Sequence, residues 1–214
     1  AAPRHAGMLD LLPGVRRLFR HRLDDARLGT VERELLGVHR HGDVGGWEIP
    51  GRYLDFVRGG PAEPLAPVLD HNAEDVASLA RLLALLDTRY ADPARRPEAP
   101  PGDLLALARA FTRERRHDDA LACLEDAAAA WRPPALGSSA WPFGAPAPAP
   151  PTVSRDRIRA ERARTLRRLG RTAEALEAWE ALAAEGGRGA PRAWVEAAKI
   201  REHRLRDPSG ALRA

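Results

Sequence analysis

The apolar residues of this chain recur at helical spacing along most of its length. In the first half, a series at close to helical spacing predicts one long helix, whose apolar positions are Val76, Leu79, Leu82, Leu83 and Leu86. In the second half, shorter series predict paired helices over residues 104–131, over residues 158–184 and from Pro191 to about Arg204. The pattern therefore predicts a chain that is rich in helix from end to end.

One apolar run near the start of the chain departs from this pattern. Residues 8–12 are short and almost wholly apolar, which is typical of the tail of a strand, and Pro13 then begins a helix. Thr30 is a predicted N-cap, and the helix after it is predicted to stop at Gly37, because glycine tolerates the left-handed backbone of a helix end. The pattern therefore predicts that residues 1–90 form a mostly helical domain that begins with the tail of a strand.

Two proline-rich stretches divide the remainder. Residues 91–101 combine proline with charge and are predicted to be a linker. Residues 102–214 are predicted to form an all-α domain of helical hairpins, interrupted by a proline-rich insertion at 133–151.

The hairpins show an internal repeat. Leu121, Leu176 and Leu212 occupy equivalent positions, separated by 55 and then 36 residues. A spacing of 36 is close to the 34-residue period of tetratricopeptide repeats, and 55 is one such period plus the length of the insertion. The second domain is therefore predicted to be tetratricopeptide-like.

Charge excludes a chain coated uniformly for nucleic acid. The 214 residues carry a net charge of +4, but residues 1–90 hold 12 arginines against 13 acids, so the excess lies in the second half. Any phosphate contact must then come from a local cluster. Arg16, Arg17, Arg20 and Arg22 form one such cluster, for which a solvated helix face is the alternative explanation.

Other features bear on location and on completeness. Cys123 is the only cysteine, so the chain has no intrachain disulfide, and a cytoplasmic location is expected. No membrane partner is expected either, because no apolar run reaches the length of a membrane span. The chain begins without Met and ends where a helix begins, so we expect a fragment of a longer protein.

The sharpest chemical signal is a histidine and an aspartate four residues apart. His71 and Asp75 lie on one face of the predicted long helix. An aspartate can hold a divalent cation through oxygen while a neutral histidine removes a proton from water, which is the chemistry of metal-assisted hydrolysis. The alternative is structural: His71 or Asn72 caps the helix, and Asp75 pairs with an arginine.

Four blocks in order carry a resemblance to a known family: residues 28–37 (LGTVERELLG), 46–50 (GWEIP), 53–56 (YLDF) and 71–76 (HNAEDV). Together they resemble the bacterial ribonuclease H-like (YprB-type) domain proteins of the DEDD 3′–5′ exonuclease superfamily, whose members commonly carry a helical-repeat tail. The resemblance covers residues 5–90 in detail. It implies that residues 1–90 are the C-terminal part of a ribonuclease H-like α/β exonuclease domain, mostly helical in this stretch.

The resemblance implies a nuclease in which four acids bind two Mg²⁺ or Mn²⁺ ions. It implies that His71 is the general base and that Asp75 is the last metal-binding acid, while the first acids are expected before residue 1, so that this fragment alone is expected to be inactive. The three residues between His71 and Asp75 are the spacing of the tyrosine-type branch, which departs from the common histidine-type spacing of four.

Two functions follow as hypotheses. The first is hydrolysis of DNA or RNA phosphodiesters by the complete domain. The second is an interaction module, in which the helical repeats bind a protein partner and the ribonuclease H-like part is a non-catalytic platform for nucleic acid.

Overall fold

The computed structural model describes residues 7–40, 44–133 and 153–212. The chain divides into two compact units, one formed by residues 1–16 and 23–91 and the other by residues 17–22 and 92–214. Within the described residues every regular element is a helix, and none of these helices is both long and apolar enough to span a membrane.

The first half of the chain contains four α-helices separated by short helical turns of other types. The α-helices are α1 (Leu12–Phe19), α2 (Leu28–Val31), α3 (Ile49–Val57) and α4 (Ala66–Leu86). A π-helix, Glu32–Leu36, continues α2, and a second, Asp87–Ala91, continues α4. A 3-10 turn, Glu63–Leu65, precedes α4.

The strand tail predicted at residues 8–12 is wrong. Residues 8–11 are irregular, and Leu12 is already the first residue of α1. The Asp10 carboxylate accepts a hydrogen bond from the Leu12 backbone N–H at 2.9 Å, and Pro13 in the first turn needs no such acceptor. The two side chains thus favour a helix start over an extended end.

For the helix that follows Thr30, the predicted end is correct and the predicted start is wrong. Gly37 terminates the π-helix with φ of 65°, as expected for a glycine in the left-handed region. Thr30, however, lies inside α2, and Arg27 occupies the N-cap position.

The second unit contains six further α-helices. They are α5 (Pro101–Arg113), α6 (His117–Ala130), α7 (Arg155–Arg168), α8 (Thr172–Ala184), α9 (Ala190–His203) and α10 (Pro208–Leu212). Each helix packs on the next one in sequence. Most of the proline-rich tract predicted at 133–151 lies outside the described residues.

The apolar core of this unit runs through the stacked helices. Trp179 is its largest fully buried side chain, and Leu166, Leu182 and Ile200 surround it in the same cluster. Of the three leucines aligned by the repeat, Leu121 and Leu176 are buried, whereas Leu212 is 91% exposed.

The stretch predicted to be a linker, residues 91–101, contains a 3-10 turn at Arg96–Glu98 that packs on α6. Arg96 and Ala99 are both buried. At least part of this stretch therefore belongs to the packed body of the second unit.

Candidate functional site

His71 and Asp75 lie where their spacing predicts, on one face of α4. Pro67 stands in the first turn of this helix, where its missing N–H leaves no backbone acceptor unsatisfied. The His71 Nε2 atom is 3.6 Å from Asp75 Oδ2, and their side chains are 19% and 34% exposed. The pair therefore stands at the surface, within reach of a ligand.

Arg40 connects the His71–Asp75 pair to the π-helix Glu32–Leu36. Its Nη2 donates to Asp75 Oδ1 at 2.6 Å and also to Glu32 Oε1 in a close ion pair. Its Nε lies 3.7 Å from Glu74 Oε2, so three carboxylates surround one guanidinium. The hydrogen bond to Glu32 is the main cause that raises the pKa of Arg40 above its usual range, and Asp75 adds to it. Arg40 is therefore a permanent cation here.

Glu32 is the buried anchor of this network. It begins the π-helix, is 1% exposed, and faces α4, which packs on that turn. A carboxylate so deeply buried is stable as an anion only beside a cation. The Arg40 side chain supplies that cation and is itself only 12% exposed.

The network also constrains the His71 ring. Arg40 Nη1 lies 3.3 Å from His71 Nδ1, and because a guanidinium can only donate, Nδ1 is the acceptor. In the neutral ring the proton then sits on Nε2, on the side of Asp75. A neutral imidazole has one lone pair, so His71 can take a proton from water at Nδ1 only after Nη1 has moved away.

The described residues do not by themselves fit a metal ion. No group of three or more histidine, cysteine or acidic side chains in these residues has the geometry of a metal site. Glu32, Asp75 and His71 instead contact the guanidinium of Arg40. Asp75 thus pairs with an arginine, as the alternative given in the sequence analysis expects.

The arginine cluster lies on α1 and in the turn that follows it, and it divides into two environments. Arg16, Arg17 and Arg20 are exposed, as a phosphate-binding or a solvated face requires. Arg22 instead makes two parallel hydrogen bonds to the fully buried Asp103, at 3.0 and 2.8 Å. Because Asp103 engages the Nε and Nη2 donors of Arg22, the prediction of a nucleic-acid contact depends chiefly on the other three arginines.

Glu32 and Arg40 are the site residues that sequence reasoning missed. One signal was available: Glu32 stands four residues from Leu28 and four from Leu36, on the apolar side of the predicted helix. An acid at such a position requires a buried cation. Arg40 itself has no local signal, because it lies in an irregular stretch and its partner Asp75 is 35 residues away.

Comparison with known proteins places this geometry in a family context. Residues 1–87 match the family model described as RNase_H superfamily. A relative from Bacillus subtilis (strain 168), named uncharacterized protein YprB, is 35% identical over 119 residues. The matched stretch covers 56% of this chain but only 29% of that relative, so the chain spans less than a third of the relative's length. No solved structure matches the chain significantly.

The matched segment contains the whole network of Glu32, Arg40, His71 and Asp75. The family match agrees, at the level of the superfamily, with the resemblance carried by the four sequence blocks. Residues 1–87 therefore carry a domain of the RNase_H superfamily.

Proposed function

We propose that the protein to which this chain belongs hydrolyses phosphodiester bonds of nucleic acid, as a 3′–5′ exonuclease, and that His71 and Asp75 belong to its active site. The observation that carries the proposal is the placement of these two side chains together, at the surface of α4, within a segment that matches the RNase_H superfamily. We propose His71 as the general base and Asp75 as a metal-binding acid.

The complete domain is proposed to use Mg²⁺ or Mn²⁺, which would supply charge neutralisation at the phosphate and an activated water. Because the described residues do not form a metal site on their own, the remaining ligands are proposed to come from elsewhere in the protein. Arg16 and Arg17 on α1 and Arg20 in the turn after it, all exposed, are proposed contacts for the phosphate backbone of DNA or RNA. A cytoplasmic location is part of the same proposal.

The test is hydrolysis of single-stranded and duplex DNA and RNA, labelled at either end, in Mg²⁺ or Mn²⁺, by the natural gene product and its variants. We expect Asp75→Asn and His71→Gln each to lower the rate by about 100-fold or more, the scale of losing one acid–base group. Asp70→Asn is the matched control, since Asp70 is an exposed aspartate on the same helix. Full activity of Asp75→Asn would remove Asp75 from the active site.

A second function is proposed for the helical hairpins, whose helices α5 to α9 stack in sequence order. Arrays of this kind present extended surfaces to peptides, so we propose that this unit is tetratricopeptide-like and binds a protein partner. In this alternative the RNase_H domain is a non-catalytic platform. A natural protein that binds its partner but hydrolyses no nucleic acid would favour this alternative.

A further inference from the structure

The helices of the second unit alternate in charge. The seven arginines of α7 outnumber its two acids, and α5 and α9 also have more basic than acidic side chains. The helices between them, α6 and α8, have four and three acids, and neither contains an arginine or a lysine. Ion pairs join α5 directly to α7, and α7 directly to α9, so these three helices are neighbours in one basic layer.

A glutamate on α7 holds two arginines in this layer. Arg109 on α5 donates to Glu161 Oε1 at 2.8 Å, and Arg164 Nη1 lies 3.3 Å from Glu161 Oε2. Burial opposes the ionisation of Glu161, but the hydrogen bond from Arg109 and the charge of Arg164 outweigh it, so the pKa of Glu161 lies below its usual range. At neutral pH this cluster therefore has two cations and one anion.

A second cluster repeats this form between α7 and α9. Arg167 and Lys199 donate to the two carboxylate oxygens of Glu196, at 3.3 and 3.2 Å. In both clusters the acid is the least exposed member, because the Glu161 and Glu196 side chains are 19% and 17% exposed and the four cations between 23% and 52%. The outermost charges are thus positive, and each cluster keeps an excess of one positive charge.

The cations of this layer follow the internal repeat. Arg109, Arg164 and Lys199 recur at intervals of 55 and 35 residues, close to the 55 and 36 that separate the repeat-equivalent leucines. We call these three residues the cation row, one cation to each of α5, α7 and α9. Glu161 engages the Nε and Nη2 groups of Arg109, which leaves its Nη1 group to donate to a further acid.

We propose that the cation row binds an extended acidic segment of a partner protein. This inference rests on the second function proposed above, in which the hairpins bind a protein partner, and it names the chemistry of that partner. Neighbouring packed helices lie about 10 Å apart, and an extended chain advances about 3.3 Å per residue. Carboxylates about three residues apart therefore match the row, with one carboxylate to each helix.

A nucleic-acid strand fits this layer less well. Single strands are held by aromatic side chains on which their bases stack. Within the ranges that the structure describes, no aromatic side chain of the second unit is exposed: Phe19, Phe111 and Trp179 are buried, and Trp131 and Trp194 are half-buried. A continuous phosphate backbone would also pass over the two glutamates of the clusters, whereas a peptide can place an uncharged residue there.

The test is the binding of a fluorescein-labelled peptide to the folded chain, followed by fluorescence anisotropy. The peptide has three glutamates, each separated from the next by two serines, and the same peptide with glutamine in place of glutamate is the uncharged control. We expect the chain to bind the acidic peptide and not the uncharged one. Binding should also weaken as the salt concentration rises, because the pairs are exposed to solvent.

Two substitutions at the ends of the row give the expected magnitudes. Arg109→Gln and Lys199→Gln should each weaken binding about threefold, and the double variant about tenfold, because exposed charge pairs at distant positions contribute additively. Arg171→Gln is the matched control: Arg171 is 44% exposed and pairs with Glu174 on α8, so its loss removes the same charge outside the row. Circular dichroism checks that each variant keeps the helicity of the parent.

A double variant that binds the acidic peptide as tightly as the Arg171→Gln chain would overturn the proposal. So would a single-stranded DNA or RNA oligonucleotide that binds the parent more tightly than the peptide and loses affinity in the double variant, because the row would then hold phosphates. A protein partner that binds the parent and the double variant equally well would refute the acidic segment and still support the second function. Hydrolysis is not measured, so the first function is tested separately.

Discussion

The two units bury their side chains in different ways. In the second, α5 to α9 enclose an apolar core that includes Trp179, Leu166 and Ile200. In the first, α4 fully buries only Ser78 and Leu82, while apolar side chains on its other faces are exposed: Leu69 by 67%, Val76 by 68%, Leu79 by 44% and Leu83 by 45%. Polar contacts around Arg40 link α4 to the turn that contains Glu32.

This difference shows that the same helical periodicity can lead to unlike sources of stability. Apolar burial is worth roughly 25 cal/mol per Å² and does not depend on direction, so the stacked helices of the second unit are stabilised along their whole length. A buried ion pair depends on a single geometry and on both of its partners. We expect the first unit to be sensitive at Glu32 and Arg40. In the second unit, the fully buried Asp103, which pairs with Arg22, is expected to be the sensitive polar position, beside a much larger apolar core.

The largest expected effect is the loss of the central aromatic side chain of the second unit. Trp179→Ala should cost about 3–5 kcal/mol of the free energy of unfolding, because it leaves a cavity in a closed core. Urea unfolding followed by circular dichroism measures it. Val195→Ala, at a position on α9 that is 52% exposed, should stay within about 0.5 kcal/mol of the parent. A Trp179→Ala protein as stable as the Val195→Ala protein would contradict the contrast between the units.

A smaller effect is expected when the buried acid of the first unit is neutralised. Glu32→Gln should cost about 3 kcal/mol, at the low end for a broken buried pair, because Arg40 keeps Asp75 as a partner. Glu34→Gln is the control on the same turn: Glu34 is 47% exposed and pairs with the exposed Arg33, so its loss should be nearly neutral. Equal unfolding midpoints for the two variants would show that Glu32 does not stabilise the first unit.

The smallest expected effect concerns the Cys123 thiol in the core of the second unit. Cys123 is fully buried, and burial raises the pKa of its thiol to about 11. At pH 8 the thiolate fraction, and hence the alkylation rate, should be on the order of 100-fold lower in the folded chain than in urea. Between the unfolded value of 9.0 and about 11 the unfolded chain releases a proton that the folded chain keeps, so stability should fall as pH rises through that window. Similar alkylation rates in both states would contradict a closed core.

Sequence periodicity predicted the second unit better than the first. The paired helices predicted over residues 158–184 correspond to α7 and α8, and the predicted end at Ala184 agrees, because their packing repeats every turn and involves helices that follow one another in sequence. The strand predicted at residues 8–12 failed because a short apolar run has no period that separates strand from helix.

The candidate site was predictable only in part, because a sequence pattern indicates local spacing but not contacts between residues distant in sequence. The positions of His71 and Asp75 follow from the local spacing of a helix. What these side chains contact does not, because Arg40 reaches them across 31 and 35 residues from an irregular stretch. A buried acid in an apolar stripe, such as Glu32, indicates that a cation is needed but does not identify which arginine provides it.

The order in which the helices of the second unit pack has a consequence for how damage spreads. When each element contacts chiefly its neighbours in sequence, the total stability is close to a sum of element and interface contributions. A residue in α8 contributes to interfaces with both α7 and α9, whereas a residue in the terminal α10 contributes to the interface with α9. A destabilising substitution in α10 therefore weakens the interface with α9. A destabilising substitution at Trp179 in α8 weakens the interfaces with both α7 and α9.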